Sequence, residues 1–333
     1  MTSDLAIFTI SYAGDRDLCR DLCQSIDRFH PDTPHYLMID LYDRPLFREF
    51  RRPGRSILYR ERYLPEFVIT PKTRGRRSFL SPYRLRPVGG WFVQQLAKLA
   101  AVSQMPHKAV ILTDSDTEFV RPVTPDMVLR DGRTRMLRYE LQTIRPFHRH
   151  WNRIAHELLG IAGETPETVN YVENIITWRP EVVRALIAFL KSRHGSWKRA
   201  MLKHPTMSEY YTYGMFVDHV PGPHRDAVYA TDQKLCYSLL YDFQDIGNDT
   251  EDVFVGEFQR SHVGFGIQSN IGMPRARRER LSQRLHEAHG RLPDRGGPSA
   301  ASRPGTGDTP ASGTGDAPVA PSPAAHGADV SGP

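Results

Sequence analysis

Along this chain, short unbroken apolar runs alternate with longer stretches whose apolar residues recur at helical spacing. Leu5 to Ile10 is one such run and predicts a first strand. Ser11-Tyr12-Ala13-Gly14-Asp15 reads as a loop, and Asp17 to Phe29 as a helix with Leu18, Leu22 and Ile26 on one face. His35 to Ile39 predicts a second strand ending at Asp40, and Ser56 to Tyr59 a third. A basic loop follows, closed by Gly89-Gly90. Trp91 to Gln104 predicts a helix: Phe92, Leu96, Leu99 and Ala100 share a face, with Val93 and Val102 beside it, and Trp91 is assigned to the core. Ala109 to Leu112 is an unbroken apolar run and reads as a buried strand. Further on, the pattern predicts strands at Arg135 to Tyr139 and Val172 to Trp178. It predicts helices at Trp151 to Ile161, at Glu181 to Ser192 after Pro180, and at Ser208 to Val217 with Ser208 as cap. The alternation predicts an α/β sheet without internal repeats.

Composition changes this picture at one end. The chain has 333 residues, 39% of them hydrophobic. Residues 291–333 are almost all Pro, Gly, Ala, Ser, Thr and Asp, too poor in apolar surface to offset the entropy of ordering. The expected organisation is one domain over residues 1–285 and a disordered tail over 286–333.

The formal net charge is +6. Lys72, Arg74, Arg76, Arg77, Arg84 and Arg86 lie in one stretch without an acidic residue, after a run from Arg44 to Arg62 that has few acids. Such a stretch is a solvated loop, a lid that meets a diphosphate, or a peripheral membrane contact through residues 72–86. Nucleic acid is not expected, because no recognition motif accompanies the charge. Three cysteines without framework spacing point to a reducing compartment. The run from Leu5 to Ile10 is too short for a signal peptide and no stretch approaches a membrane span, so a soluble cytoplasmic protein is expected.

The chemistry concentrates where the Ala109–Leu112 run gives way to Thr113-Asp114-Ser115-Asp116. Ionised carboxylates inside a buried strand would lack partners, so both belong at its C-terminal edge. That edge is where open α/β sheets bind ligands. Two carboxylates spaced i, i+2 repel unless a cation neutralises them. A hard divalent ion, Mg²⁺ or Mn²⁺, does this and shares its remaining positions with water and substrate phosphates. The competing reading is an ordinary turn after a strand.

Strand, loop and helix, second strand, then the helix Gly90-Trp91-Phe92-Val93-Gln94-Gln95-Leu96-Ala97-Lys98-Leu99, then a strand ending Asp-Ser-Asp: this order resembles a GT-A glycosyltransferase. More narrowly it resembles an uncharacterised bacterial family of GT-A-like proteins. That family has a Gly-Trp…Gln-Gln…Lys-Leu helix before its Asp-x-Asp, a later Ser-Glu-Tyr…Tyr-Gly segment, and a late His followed by Gln-Ser-Asn. The counterparts here are Ser208-Glu209-Tyr210-Tyr211-Thr212-Tyr213-Gly214, His262 and Gln268-Ser269-Asn270. The likeness spans about residues 5–275.

The resemblance implies a mixed central sheet flanked by helices and a nucleotide-sugar donor, most commonly UDP-linked. It also implies transfer to a hydroxyl of a polysaccharide or a small natural product. Asp116 and Asp114 would hold the metal, with His262 third, and Asp114 would also meet the ribose. Thr9, Ser11 and Tyr12 would hold the base and ribose. Lys98 is a candidate for the sugar or diphosphate, against simply ending the helix's polar face, and Gln94 and Gln95 share that ambiguity. Glu209 is the candidate base for an acceptor hydroxyl, against a capping role at a helix start.

Three rivals stay open. A haloacid-dehalogenase-like phosphatase wants Thr or Val four residues after its first Asp, and position 118 is Glu. A nucleotidyltransferase usually has a Gly-rich basic loop after the first strand, which Ser11–Asp15 lacks. A silent sugar-nucleotide binding module would keep the fold without the metal.

Overall fold

The computed structural model describes residues 3–70, 77–239 and 248–289. The expected tail beyond residue 289, and Lys72, Arg74 and Arg76 of the basic stretch, lie outside the described residues. The described residues all lie in one unit.

The strands are β1 (Leu5–Ile10), β2 (His35–Ile39), β3 (Arg55–Tyr59), β4 (Val68–Ile69), β5 (Ser78–Ser81), β6 (Arg84–Gly89), β7 (Ala109–Asp114) and β8 (Thr117–Phe119). Then come β9 (Leu129–Arg130), β10 (Arg133–Leu137), β11 (Tyr139–Glu140), β12 (Val169–Asn170), β13 (Ile175–Trp178), β14 (Val228–Thr231), β15 (Cys236–Leu239) and β16 (Gly264–Ile267). The helices are α1 (Arg16–Phe29), α2 (Gly90–Val102), α3 (Pro125–Val128), α4 (Pro146–Leu159), α5 (Pro180–His194), α6 (Trp197–Leu202), α7 (Glu209–His219), α8 (Asn248–Gly256) and α9 (Arg275–His289).

The central sheet runs in the order β13-β7-β1-β2-β3, parallel except for β13. Side chains alternate across it, as strand geometry requires. Phe8, Ile10, Val110, Leu112 and Trp178 face a core shared with α2, α4, α5 and α7. Leu5, Ile7, Ala109 and Ile111 face Leu22, Ile26 and Phe29 of α1. The sheet is therefore a mixed layer between helices, as the sequence predicts. Helix α1, which follows β1, and α2, which precedes β7, lie on opposite faces. The ends of β1 and β7 thus flank a topological switch point, the crevice where such sheets receive ligands.

Smaller sheets complete the unit. In one, β16 pairs parallel with β15 and antiparallel with β8. In another, β4, β5 and β6 form an antiparallel meander. That meander corrects the sequence reading, which made the whole basic stretch to Gly89 a loop. Helix α4 begins at Pro146, earlier than the expected Trp151, because Pro is accepted in a first turn where its missing N–H is no loss. Ser208 caps α7 as expected, its hydroxyl accepting from the Tyr211 N–H at 3.3 Å. Cys19 and Cys23 lie buried on α1 as free thiols, and Cys236 is also free. Among the described residues no helix is long and apolar enough to cross a membrane.

Candidate active site

Asp114 is the last residue of β7, in register with Ile10 at the end of β1. Its side chain is 40% exposed into the crevice. Behind it lies Lys98 of α2, buried, with its ammonium 3.1 Å from Asp114 Oδ1, 3.1 Å from Glu209 Oε1 and 3.0 Å from Tyr210 Oη. Burial works against the charged lysine. Asp114, Tyr210 and Glu209 outweigh it and hold its pKa well above the ordinary value. Glu209 is raised by burial, a push that Lys98 opposes. Its backbone N–H donates to Gln95 Oε1 at 3.0 Å, which pins the start of α7 to α2. Gln95 Nε2 is buried without a partner.

Asp116 sits in the tight turn from β7 into β8. The Ser269 N–H donates to its Oδ2 at 2.9 Å. Its Oδ1 is buried and has no hydrogen-bond partner. Burial first, then the nearby Asp114 charge, push its pKa up to about 6. Its carbonyl accepts from Ile267 N (3.2 Å) and from Arg278 Nη2 of α9 (2.5 Å). A third carboxylate, Asp15, accepts from Ser115 Oγ at 3.3 Å, and burial raises its pKa too. Tyr12, over a third exposed, has its phenol pKa raised by burial and then by Asp15. Gly14 makes that position available, since a Cβ there would collide with the Tyr12 ring.

Three carboxylates therefore line the crevice, Asp15, Asp114 and Asp116, and a fourth, Glu209, lies buried behind Lys98. Of the cations among them, Lys98 is committed to Asp114 and Glu209, and Arg278 directs its hydrogen bonds at carbonyls. The excess negative charge and the orphaned Asp116 Oδ1 fit a divalent cation. Among the described residues no set of three His, Cys, Asp or Glu side chains is arranged to hold one alone. That suits an ion taken up by one or two carboxylates together with substrate phosphates.

The structure does not bring every expected residue here. His262 lies at the other end of the β8–β16 pairing, where Val120 N donates to Val263 O. Ile267, not His262, adjoins Asp116, and the intervening extended segment spans roughly 16 Å. His262 Nδ1 already accepts from the Gln259 N–H at 3.0 Å, and burial, then Lys234 and Arg121, push its pKa down to about 4. His262 thus closes the turn from Gln259 and is not brought together with the two aspartates. Thr9 is buried within the sheet, bonded to His35 Nε2 at 3.1 Å. Arg55 donates to the other ring nitrogen, so His35 donates to Thr9 and neither faces the crevice. Ser11 does end at the crevice, buried, with its hydroxyl unpartnered. Trp91, expected in the core, is 52% exposed.

Other residues escaped the sequence reading. Because β13 runs antiparallel to β7, Asn174 falls opposite Asp114, where it accepts from Ser238 Oγ at 2.9 Å. Gly266 lies against the Asn174 amide. Arg77 is not a free anion attractor: its guanidinium bridges Asp40 (2.8 Å) and Asp43 (2.5 Å) beyond β2, near the Tyr12 ring. The acids nearest it in space come from a segment some 35 residues earlier, which no local window shows.

A family model matches residues 5–236, more than half of the chain. The chain belongs to this family of unknown function, DUF6492. The DUF6492 match takes in β1, β7, Lys98, both aspartates and Glu209, and ends before Ser269 and Arg278. No curated protein matches the chain. Among solved structures, it is similar to mouse xyloside xylosyltransferase 1 in its apo form, at 12% identity and TM-score 0.44, covering 82% of this chain and 100% of that one. It is also similar to an active-site mutant of LgtC, at 12% identity and TM-score 0.42, covering 88% of this chain and 98% of that one. At such low identity and score, the site of this DUF6492 chain is read from its own residues.

Proposed function

We propose that the protein is a metal-dependent glycosyltransferase of GT-A-like fold. It moves a sugar from a nucleotide-diphosphate donor, UDP-linked by preference, to a hydroxyl of a carbohydrate or small natural product. The observation that carries this reading is the Asp114–Asp116 pair at the switch-point crevice, with Asp116 Oδ1 buried and unpartnered. Asp116 and the exposed oxygen of Asp114 would hold Mn²⁺ or Mg²⁺. When bound, that ion supplies Lewis-acid stabilisation of the departing diphosphate.

The chain's own residues set the stage. Lys98 fixes the Asp114 carboxylate and cancels part of the local charge. Glu209, buried behind Lys98, holds that ammonium in place instead of reaching an acceptor hydroxyl directly. Tyr12 offers a partly exposed aromatic face at the mouth of the crevice, and Ser11 next to it a buried, unpartnered hydroxyl, where the base and ribose would lie.

The test is isothermal titration against UDP, GDP and CDP with Mn²⁺, then with EDTA. Binding of one nucleotide only with metal, lost in Asp116→Ala, is expected. Metal-independent binding, unchanged in that variant, would overturn the metal assignment.

A further inference from the structure

Helix α2 carries Trp91, Gln95 and Lys98 at spacings that place all three on one helical face. The start of α7 covers Gln95 and Lys98, and the face opens to solvent at Trp91, about 10 Å from Lys98 along the axis. Its ring is stacked on Trp151 of α4 at 6.4 Å, and Phe147, one turn earlier on α4, packs against Trp151 at 4.9 Å. Trp91 is 52% and Phe147 37% exposed. Trp151 in turn rests on Tyr211, the neighbour of the tyrosine that meets Lys98. The three rings therefore pack on one another across α2 and α4, with Tyr211 of α7 against Trp151, and Trp91 and Phe147 open to solvent.

Three contiguous aromatic side chains left partly open mark an interaction surface in a way that a singly exposed apolar residue does not. The patch is three rings wide. A protein partner of ordinary size would cover about 800 Å² a side, far more than these rings expose. The apolar face of a sugar ring matches it, with the flanking hydroxyls left in solvent. We propose that Trp91, Trp151 and Phe147 form the docking platform for a carbohydrate acceptor whose reacting end reaches toward Asp114. This rests on the transferase reading for its direction, but the binding itself needs neither nucleotide nor metal.

The experiment uses the full chain without nucleotide or metal, applied to a printed glycan array covering common hexoses, pentoses and N-acetylhexosamines. The glycans it retains are then titrated while tryptophan emission is followed. At least one glycan is expected to bind and shift the emission. Trp91→Ala should weaken that binding roughly tenfold, and Trp91→Phe, which keeps a ring, should recover most of it. Thermal melts confirm that both variants fold. Retention of no glycan, or equal affinity in Trp91→Ala, would overturn the platform. So would an emission shift produced by phosphatidylglycerol vesicles and by no glycan. The nucleotide titration tests the transferase reading separately: glycan binding without any nucleotide binding would leave the platform standing and remove the transfer.

Discussion

Lys98 holds Asp114 from the helix that precedes its strand, ammonium to carboxylate at 3.1 Å, and holds Glu209 at the same distance on its other side. One buried cation thus ties together α2, the end of β7 and the start of α7. Removing it should leave Glu209 buried beside Asp114 with no counter-charge. Lys98→Met is expected to cost about 3–5 kcal/mol of unfolding free energy, in the range for breaking one half of a buried pair. The double variant Lys98→Met with Glu209→Gln should be more stable than Lys98→Met alone. Urea unfolding of the cycle checks this, and a double variant no better than the single would show that the pair is not coupled.

Asp116 is the opposite case, a carboxylate whose ionised form is disfavoured in the fold. Its pKa of about 6 lies above the unfolded value of 3.8. Between those values the native state binds more protons than the unfolded one, so this group's contribution to stability falls as pH rises from about 4 to 6 and stays low above. Asp116→Asn should therefore stabilise the metal-free protein at pH 7.5, by about 1–3 kcal/mol, and change little at pH 4. The same substitution should abolish stabilisation by Mn²⁺. Melting curves in EDTA and in Mn²⁺ at both pH values decide it; a destabilised variant at pH 7.5 would contradict the account.

His262 should behave as a structural residue. His262→Ala removes the acceptor for the Gln259 N–H and is expected to cost about 1–2 kcal/mol. Nucleotide titration in Mn²⁺ should keep its wild-type midpoint. A loss of metal-dependent binding in a variant that still folds would return His262 to the metal.

Gly214 lies inside α7, where alanine would ordinarily be favoured by about 1 kcal/mol. Here a Cβ would collide with the Tyr171 ring, which is buried and bonded to Asp218. Overpacking of this kind costs about 1–3 kcal/mol, so the collision decides the sign. Gly214→Ala should lower the melting temperature; a rise would show that Tyr171 has room to move.

Where periodicity was strong, the chain announced its structure. The ends of β1, β2, α1 and α2 fall within a residue or two of their apolar patterns, and Asp114 lies at the strand edge where burial physics puts it. What stayed hidden depends on contacts between distant segments. A strand's apolar run does not reveal its direction, so Asn174 opposite Asp114 could not be read. Trp91 shares a helix with deeply buried residues, but burial depends on what packs against each face, and its ring meets Trp151 of α4 at the open edge. The late His and the Gln-Ser-Asn segment look adjacent in sequence, yet an extended strand separates them in space, and it is the Ser269 N–H that reaches Asp116. The apolar residues that helix α9 buries are just Leu281 and Leu285, beside Arg278 and among many charges, too few apolar positions to stand out.

Arg278 lends that last helix a further significance. It clasps the carbonyls of Asp116 and Ile267 from a position 162 residues downstream of the aspartate. During synthesis, β1, β2 and β7 can assemble as soon as the chain has passed Asp114. The aspartate turn is secured only after β16 and α9 have emerged and closed onto it. A chain ending near residue 236 would carry the central sheet and the Lys98–Asp114–Glu209 cluster, yet would lack the Ser269 and Arg278 contacts that hold the Asp116 turn. The Asp116 turn is therefore completed late in translation, after the strands of the central sheet have been made.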